Sequence, residues 1–91
     1  MMRVHLVARG GVQGVGYRFT MEAVAARAGA TGWVRNRPDG SVEAEVEGSD
    51  AAVADVVDWA RRGPRGGWVD DVQVEQIAPE GSGVFEIRRD G

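Results

Sequence analysis

Ninety-one residues with no cysteine, eleven basic and fourteen acidic side chains give a net charge of −3. That length makes one domain with one modest core, burying roughly 60% of the unfolded surface, and no apolar run approaches the ~20 residues of a membrane helix. Lack of cysteine excludes disulfides, thiolate metal sites and cysteine nucleophiles, and the acidic balance weighs against general nucleic-acid binding.

All eleven basic residues are arginine. Schiff-base lysines, Ser–Lys dyads and a Walker lysine are therefore excluded. Met1-Met2-Arg3 leads straight into a strand pattern with no signal-peptide core, which with the missing cysteine fits a cytoplasmic location. A chain that starts at Met1 and ends soon after its last strand is expected to be a stand-alone single domain over 1–91, and a monomer.

In chain order, Arg3 to Arg9 is apolar at Val4, Leu6 and Val7 and stops at a double glycine, which predicts a buried strand. Tyr17 to Ala30 is alanine-rich and predicts a helix ending near Gly29, with Phe19, Ala23, Ala26 and Ala30 inward, Val24 beside them, and Glu22 and Arg27 toward water. Thr31 to Arg37 predicts a second strand, and Pro38-Asp39-Gly40 a hairpin turn. Ser41 to Glu47 alternates strictly, with Val42, Ala44 and Val46 on one face and Glu43, Glu45 and Glu47 on the other. The glutamates are expected to be a solvated face that protects an edge.

Ser49 is placed to cap a second helix from Asp50 to about Arg62, with Val53, Val56, Val57 and Ala60 as its apolar stripe. After a glycine-rich loop, Val69 to Ile77 and the short Val84 to Arg88 predict two more strands, with Asp70-Asp71 as a turn feature. Right-handed crossovers in this order put both helices on one face of an antiparallel sheet. The expected class is α+β, a ferredoxin-like βαββαβ sandwich with a short extra C-terminal strand. That fold hosts unrelated functions and names none of them.

The chemistry concentrates in Gly10-Gly11-Val12-Gln13-Gly14-Val15-Gly16-Tyr17-Arg18. It fits neither G-x-G-x-x-G nor G-x-x-x-x-G-K-[ST], so it is not a nucleotide loop of either kind. Glycines at a strand-to-helix junction still let consecutive N–H groups converge on one anion. A tight connection with no ligand is the plain alternative. Arg18 argues against it, because a cation in the first helical turn opposes the macrodipole at ~0.3–1 kcal/mol. An ion pair with Glu22, four residues on, has the poorer orientation and returns at most ~0.2–0.5 kcal/mol. A bound dianion would satisfy both Arg18 and the helix start.

Two stretches then carry a resemblance. Gly10 to Arg18 resembles the phosphate-loop signature of acylphosphatases, and Gly32-Trp33-Val34-Arg35-Asn36-Arg37-Pro38-Asp39-Gly40-Ser41-Val42, continuing to Gly48, resembles their second signature. The likeness spans nearly the whole chain. It implies a hydrolase, without metal or cofactor, for the carboxyl–phosphate bond of small acyl phosphates, with inorganic phosphate as product and inhibitor. By position it implies Arg18 as the phosphoryl-binding arginine and Asn36 as the holder of the attacking water. Backbone N–H groups of Val12, Gln13, Gly14, Val15, Gly16, Tyr17 and Arg18 would cradle the phosphoryl oxygens. Gly11 departs from the pattern, since many relatives carry a larger, often basic residue there. A non-catalytic phosphate-binding regulatory module on the same fold is the competing reading.

The chemistry agrees with that implication. A carboxylate leaves readily, so the reaction needs positioning and charge stabilisation more than an acid. A guanidinium and fixed amides supply those. Asn36 can orient water but cannot act as a base at pH 7; that the substrate phosphate takes the proton is a hypothesis the sequence alone does not test. His5, the single histidine, has no second histidine or cysteine with which to build a metal site or triad. Trp33, Trp59 and Trp68 are expected in core or edge packing, and Gln13 in bonds within the loop.

Overall fold

The computed structural model describes residues 1–91 as β1 (Met2–Gly11), α1 (Tyr17–Ala28), β2 (Thr31–Asn36), β3 (Val42–Gly48), α2 (Asp50–Arg62), β4 (Trp68–Ile77) and β5 (Phe85–Ile87). The sheet order is β4-β1-β3-β2-β5. The first four strands pair antiparallel throughout, as two βαβ units interleave. The short last strand lies parallel to β2, so the sheet is mixed at that edge. None of the helices is long and apolar enough to cross a membrane.

Alternation in the strands sends Val4, Leu6 and Ala8 of β1, Val34 of β2, and Val42, Ala44 and Val46 of β3 into one core with the helices. From α2, Ala52, Val53, Val56, Trp59 and Ala60 join them. The Ser49 hydroxyl caps this helix by accepting the Ala52 N–H at 3.1 Å. At its other end Pro64 has no N–H to give the Ala60 carbonyl. The buried Tyr17 hydroxyl donates to that carbonyl instead, at 2.8 Å, and the Tyr17 ring packs on Trp59 at 4.9 Å. This bond fixes the first residue of α1 to the last turn of α2.

Helix α1 turns a different face inward from the one its alanines suggest. Its buried residues are Tyr17, Met21 and Ala25, while Phe19 is 71% exposed. A helix so rich in alanine carries little apolar contrast between faces. The Tyr17 bond and the bulk of Met21 set its rotation.

The glutamates of β3 are also not the solvated edge that alternation suggests, because β3 lies in the middle of the sheet. On the helix-free face, Arg3 Nε donates to Glu45 at 2.8 Å and its Nη1 to Glu47 at 3.2 Å. Arg3 and Glu47 are each 1% exposed. Glu47 further accepts the Glu80 N–H at 2.6 Å and the Gly81 N–H at 3.0 Å, strapping the β4–β5 crossover to the sheet. The Glu80 N–H bond leads in holding its carboxyl below the usual range, with Arg3 and the Gly81 N–H adding to it against the opposing effect of burial. Glu43 lies between His5 Nε2 at 2.7 Å and Arg35 Nε at 2.8 Å. Burial raises its pKa, but these two partners outweigh that and the net shift is downward. Asp70 and Asp71 sit inside β4, opposite a register shift between Arg9 and Gly10, rather than in a turn.

Candidate active site

The site is built where β1 ends, α1 begins and β2 runs out. Residues 12–16 form the connection, and Gly16 is the N-cap of α1 at φ 80°, a left-handed conformation open to glycine and costly to most other residues. No side chain caps this helix and its first turn has no acid. The first backbone donor of the helix is Thr20, which bonds the Gly16 carbonyl at 3.0 Å; the N–H groups of residues 13–19 donate to no other backbone group of the chain. An uncapped start with the positive end of its dipole free is what an anion needs.

The loop is braced from two sides. Gln13 does not bond within the loop; its Nε2 reaches across to the Arg37 carbonyl at 2.8 Å and the Ser41 carbonyl at 2.9 Å, tying the loop to the β2–β3 turn. That turn is itself set by Asp39, which accepts the Ser41 N–H at 2.9 Å and its hydroxyl at 2.5 Å. The Ser41 hydroxyl leads in lowering the Asp39 pKa far below the usual carboxylate range, followed by the Ser41 N–H and Arg9. Val12 is buried in the core and anchors the start of the loop.

Asn36 ends β2 opposite Val42, on the side that faces the helices. It is 9% exposed, and its Oδ1 is the one buried side-chain polar atom in the molecule with no partner. Arg18 is not paired with Glu22 as helix spacing suggests. Its Nη1 donates to Asp90 Oδ1 at 3.2 Å. The next residue, Gly91, donates its N–H to the Asn36 carbonyl at 3.0 Å. Arg18 and Asn36, eighteen positions apart in sequence, are thus held at one end of the sheet by consecutive residues of the C-terminal tail. No three His, Asp or Glu side chains converge to hold a metal.

The family model for acylphosphatases matches residues 4–87. The chain belongs to the acylphosphatase family. Acylphosphatase of Thiobacillus denitrificans is 51% identical over 99% of this chain and 100% of its own. That of Trichormus variabilis is 47% identical over 98% of this chain and 88% of its own. Among solved structures, acylphosphatase from Bacillus subtilis superposes with a TM-score of 0.93 at 34% identity, covering 97% of this chain and 99% of that one. The ferredoxin-like α+β class read from element order is therefore the family's fold as well.

Asp90 and Gly91 are the site-adjacent residues that the sequence did not reveal. A lone aspartate next to the last residue carries no motif, and only the path of β5 along β2 brings it to Arg18.

Proposed function

We propose that this acylphosphatase-family chain hydrolyses small acyl phosphates to a carboxylate and inorganic phosphate, with Arg18 and the loop amides of residues 12–18 binding the phosphoryl group and Asn36 orienting the water. The observation that carries this reading is the Asn36 Oδ1, a buried acceptor without a partner at the end of the sheet that also holds Arg18. Buried polar atoms are nearly always hydrogen-bonded, and an orphan invites a functional explanation. A carboxamide oxygen that accepts an O–H from water points the water's lone pair at its target.

In the step proposed, the water oxygen forms a bond to phosphorus as the bond from phosphorus to the acyl oxygen breaks. The electron pair leaves with the carboxylate. The water's proton passes to a phosphoryl oxygen, since Asn36 is neutral and no basic side chain is assigned. Charge on the equatorial oxygens is met by the Arg18 guanidinium and by the helix-start amides, which need no reorganisation during reaction. For that reason the proposal includes no metal.

The test is hydrolysis of benzoyl phosphate and acetyl phosphate in excess chelator. Turnover that survives chelation, and that falls about a thousandfold in Arg18→Ala and Asn36→Ala, supports the reading. Phosphate binding without turnover would instead mark a non-catalytic anion-binding module.

A further inference from the structure

Trp68 is 62% exposed, yet it is not loosely placed. It opens β4 directly opposite Gly11, the last residue of β1 before the phosphate loop. A Cβ on Gly11 would fall 2.5 Å from Cε3 and Cζ3 of the indole and 2.7 Å from Cδ2. The six-membered ring therefore lies flat on the Gly11 backbone. The preceding residue is equally close: a Cβ on Gly67 would meet the Gly11 carbonyl oxygen at 2.8 Å and Val15 Cγ2 at 2.9 Å. Gly67 and Trp68 together press on the beginning of the loop and on its middle from the side away from Gln13.

We propose that Trp68 is a positioning residue for phosphate binding: its indole, seated on Gly11, clamps the phosphate loop in the conformation that gathers its amides. The inference rests on the functional reading of that loop. The indole sets one face against Gly11, whose lack of a side chain makes the contact possible. A loop held by Gln13 on one side and by Trp68 on the other loses less conformational entropy when a phosphoryl group binds. Trp68 has no part in the bond-making step.

Gly11 allows the same contact to be tested from its other side. Its φ lies outside the left-handed region, so its backbone accepts alanine, and the nearest atoms a methyl group would meet are those of the exposed indole. A methyl group there should swing the indole off the loop. The experiment compares wild type, Trp68→Ala, Trp68→Phe, Gly11→Ala and the Gly11→Ala/Trp68→Ala double variant, measuring kcat, KM for benzoyl phosphate, Ki for inorganic phosphate and the melting temperature. Trp68→Ala and Gly11→Ala should each raise KM and Ki about three- to tenfold with kcat changed less than twofold, because binding common to ground and transition states is lost. Trp68→Phe should restore both constants to within about twofold. The double variant should be no worse than the weaker single, as expected when two changes remove one contact.

KM and Ki within twofold of wild type in Trp68→Ala, or effects of the two singles that multiply, would overturn the proposal while leaving the functional reading intact. If Trp68→Ala does not fold, Gly11→Ala decides by the same criterion. A wild-type protein that neither turns over benzoyl phosphate nor binds phosphate overturns both.

Discussion

Arg18 donates to Asp90 at 3.2 Å, so the cation assigned to the phosphoryl group is held by a carboxylate of its own chain. Both partners are in contact with water, and exposed pairs of this kind contribute ~0.2–1 kcal/mol. Removing the carboxylate frees the guanidinium without altering it. Asp90→Asn should therefore lower KM for acyl phosphates and Ki for phosphate by about 1.5- to fivefold, with kcat unchanged. The difference should shrink at high salt, where exposed pairs are screened. Identical phosphate inhibition of the two proteins at low salt would show that Asp90 does not compete for Arg18.

Arg18→Lys tests what the charge alone provides. An ammonium keeps the sign but not the planar fork that addresses two oxygens together. The expected outcome is loss of most of the activity lost in Arg18→Ala, read as kcat/KM on benzoyl phosphate. Near-wild-type kcat/KM in the lysine variant would mean that Arg18 acts only as a point charge.

Tyr17→Phe isolates the bond between the two helices. It leaves the Ala60 carbonyl, with proline four residues on, short of its donor. An unmet buried carbonyl costs about 1–3 kcal/mol, which in a domain of this size lowers Tm by about 4 °C or more. Thermal denaturation followed by circular dichroism measures it, and an unchanged Tm would remove this bond from the stability of the fold.

The two readings of α1 make opposite forecasts. Met21 is completely buried and Phe19 is mostly exposed. Met21→Ala should cost about 2–5 kcal/mol, and Phe19→Ser less than about 0.5 kcal/mol. Denaturant unfolding of the two variants decides between the faces, and the reverse order would restore the face that the alanines suggest.

Acid should weaken the strap at Glu47. Its carboxyl titrates below the usual range in the folded chain. The stability this supplies is complete above the unfolded glutamate pKa of about 4.3 and is lost as pH falls through the lower folded value. Glu47→Gln should thus be less stable than wild type at pH 7 and show a flatter decline below about pH 4.5. Parallel acid profiles for the two proteins would contradict the assignment.

Strict alternation and sharp turn residues made the strands and the helix α2 legible, because burial on one face leaves a period of two or of 3.6 in the residues themselves. The loop and Arg18 were legible for a different reason: a cation at a helix start breaks a local electrostatic rule. The facing of α1 was not, since alanine differs little between inside and outside. The β3 glutamates misled because alternation tells which residues share a face, not whether that face meets water or basic side chains such as Arg3, His5 and Arg35 on the flanking strands. Asp90 and Trp68 were out of reach for a related reason. Each acts on a residue more than fifty positions away, and pairing at that range leaves no spacing to read.

The position of β5 also bears on how copies of this chain meet. By lying along β2 it covers that strand and reduces this edge of the sheet to three residues, leaving β4 as the long edge strand with open backbone groups. That edge carries Asp70, Asp71 and Glu75 beside the irregular stretch at Arg9 and Gly10. A second copy docking edge to edge would bring like charges together across a strand that is not straight. The ten-residue strand most exposed to runaway sheet growth is thus the one least able to sustain it, and a deletion that removed β5 would leave in its place the longer edge of β2, whose only acid or base is Arg35.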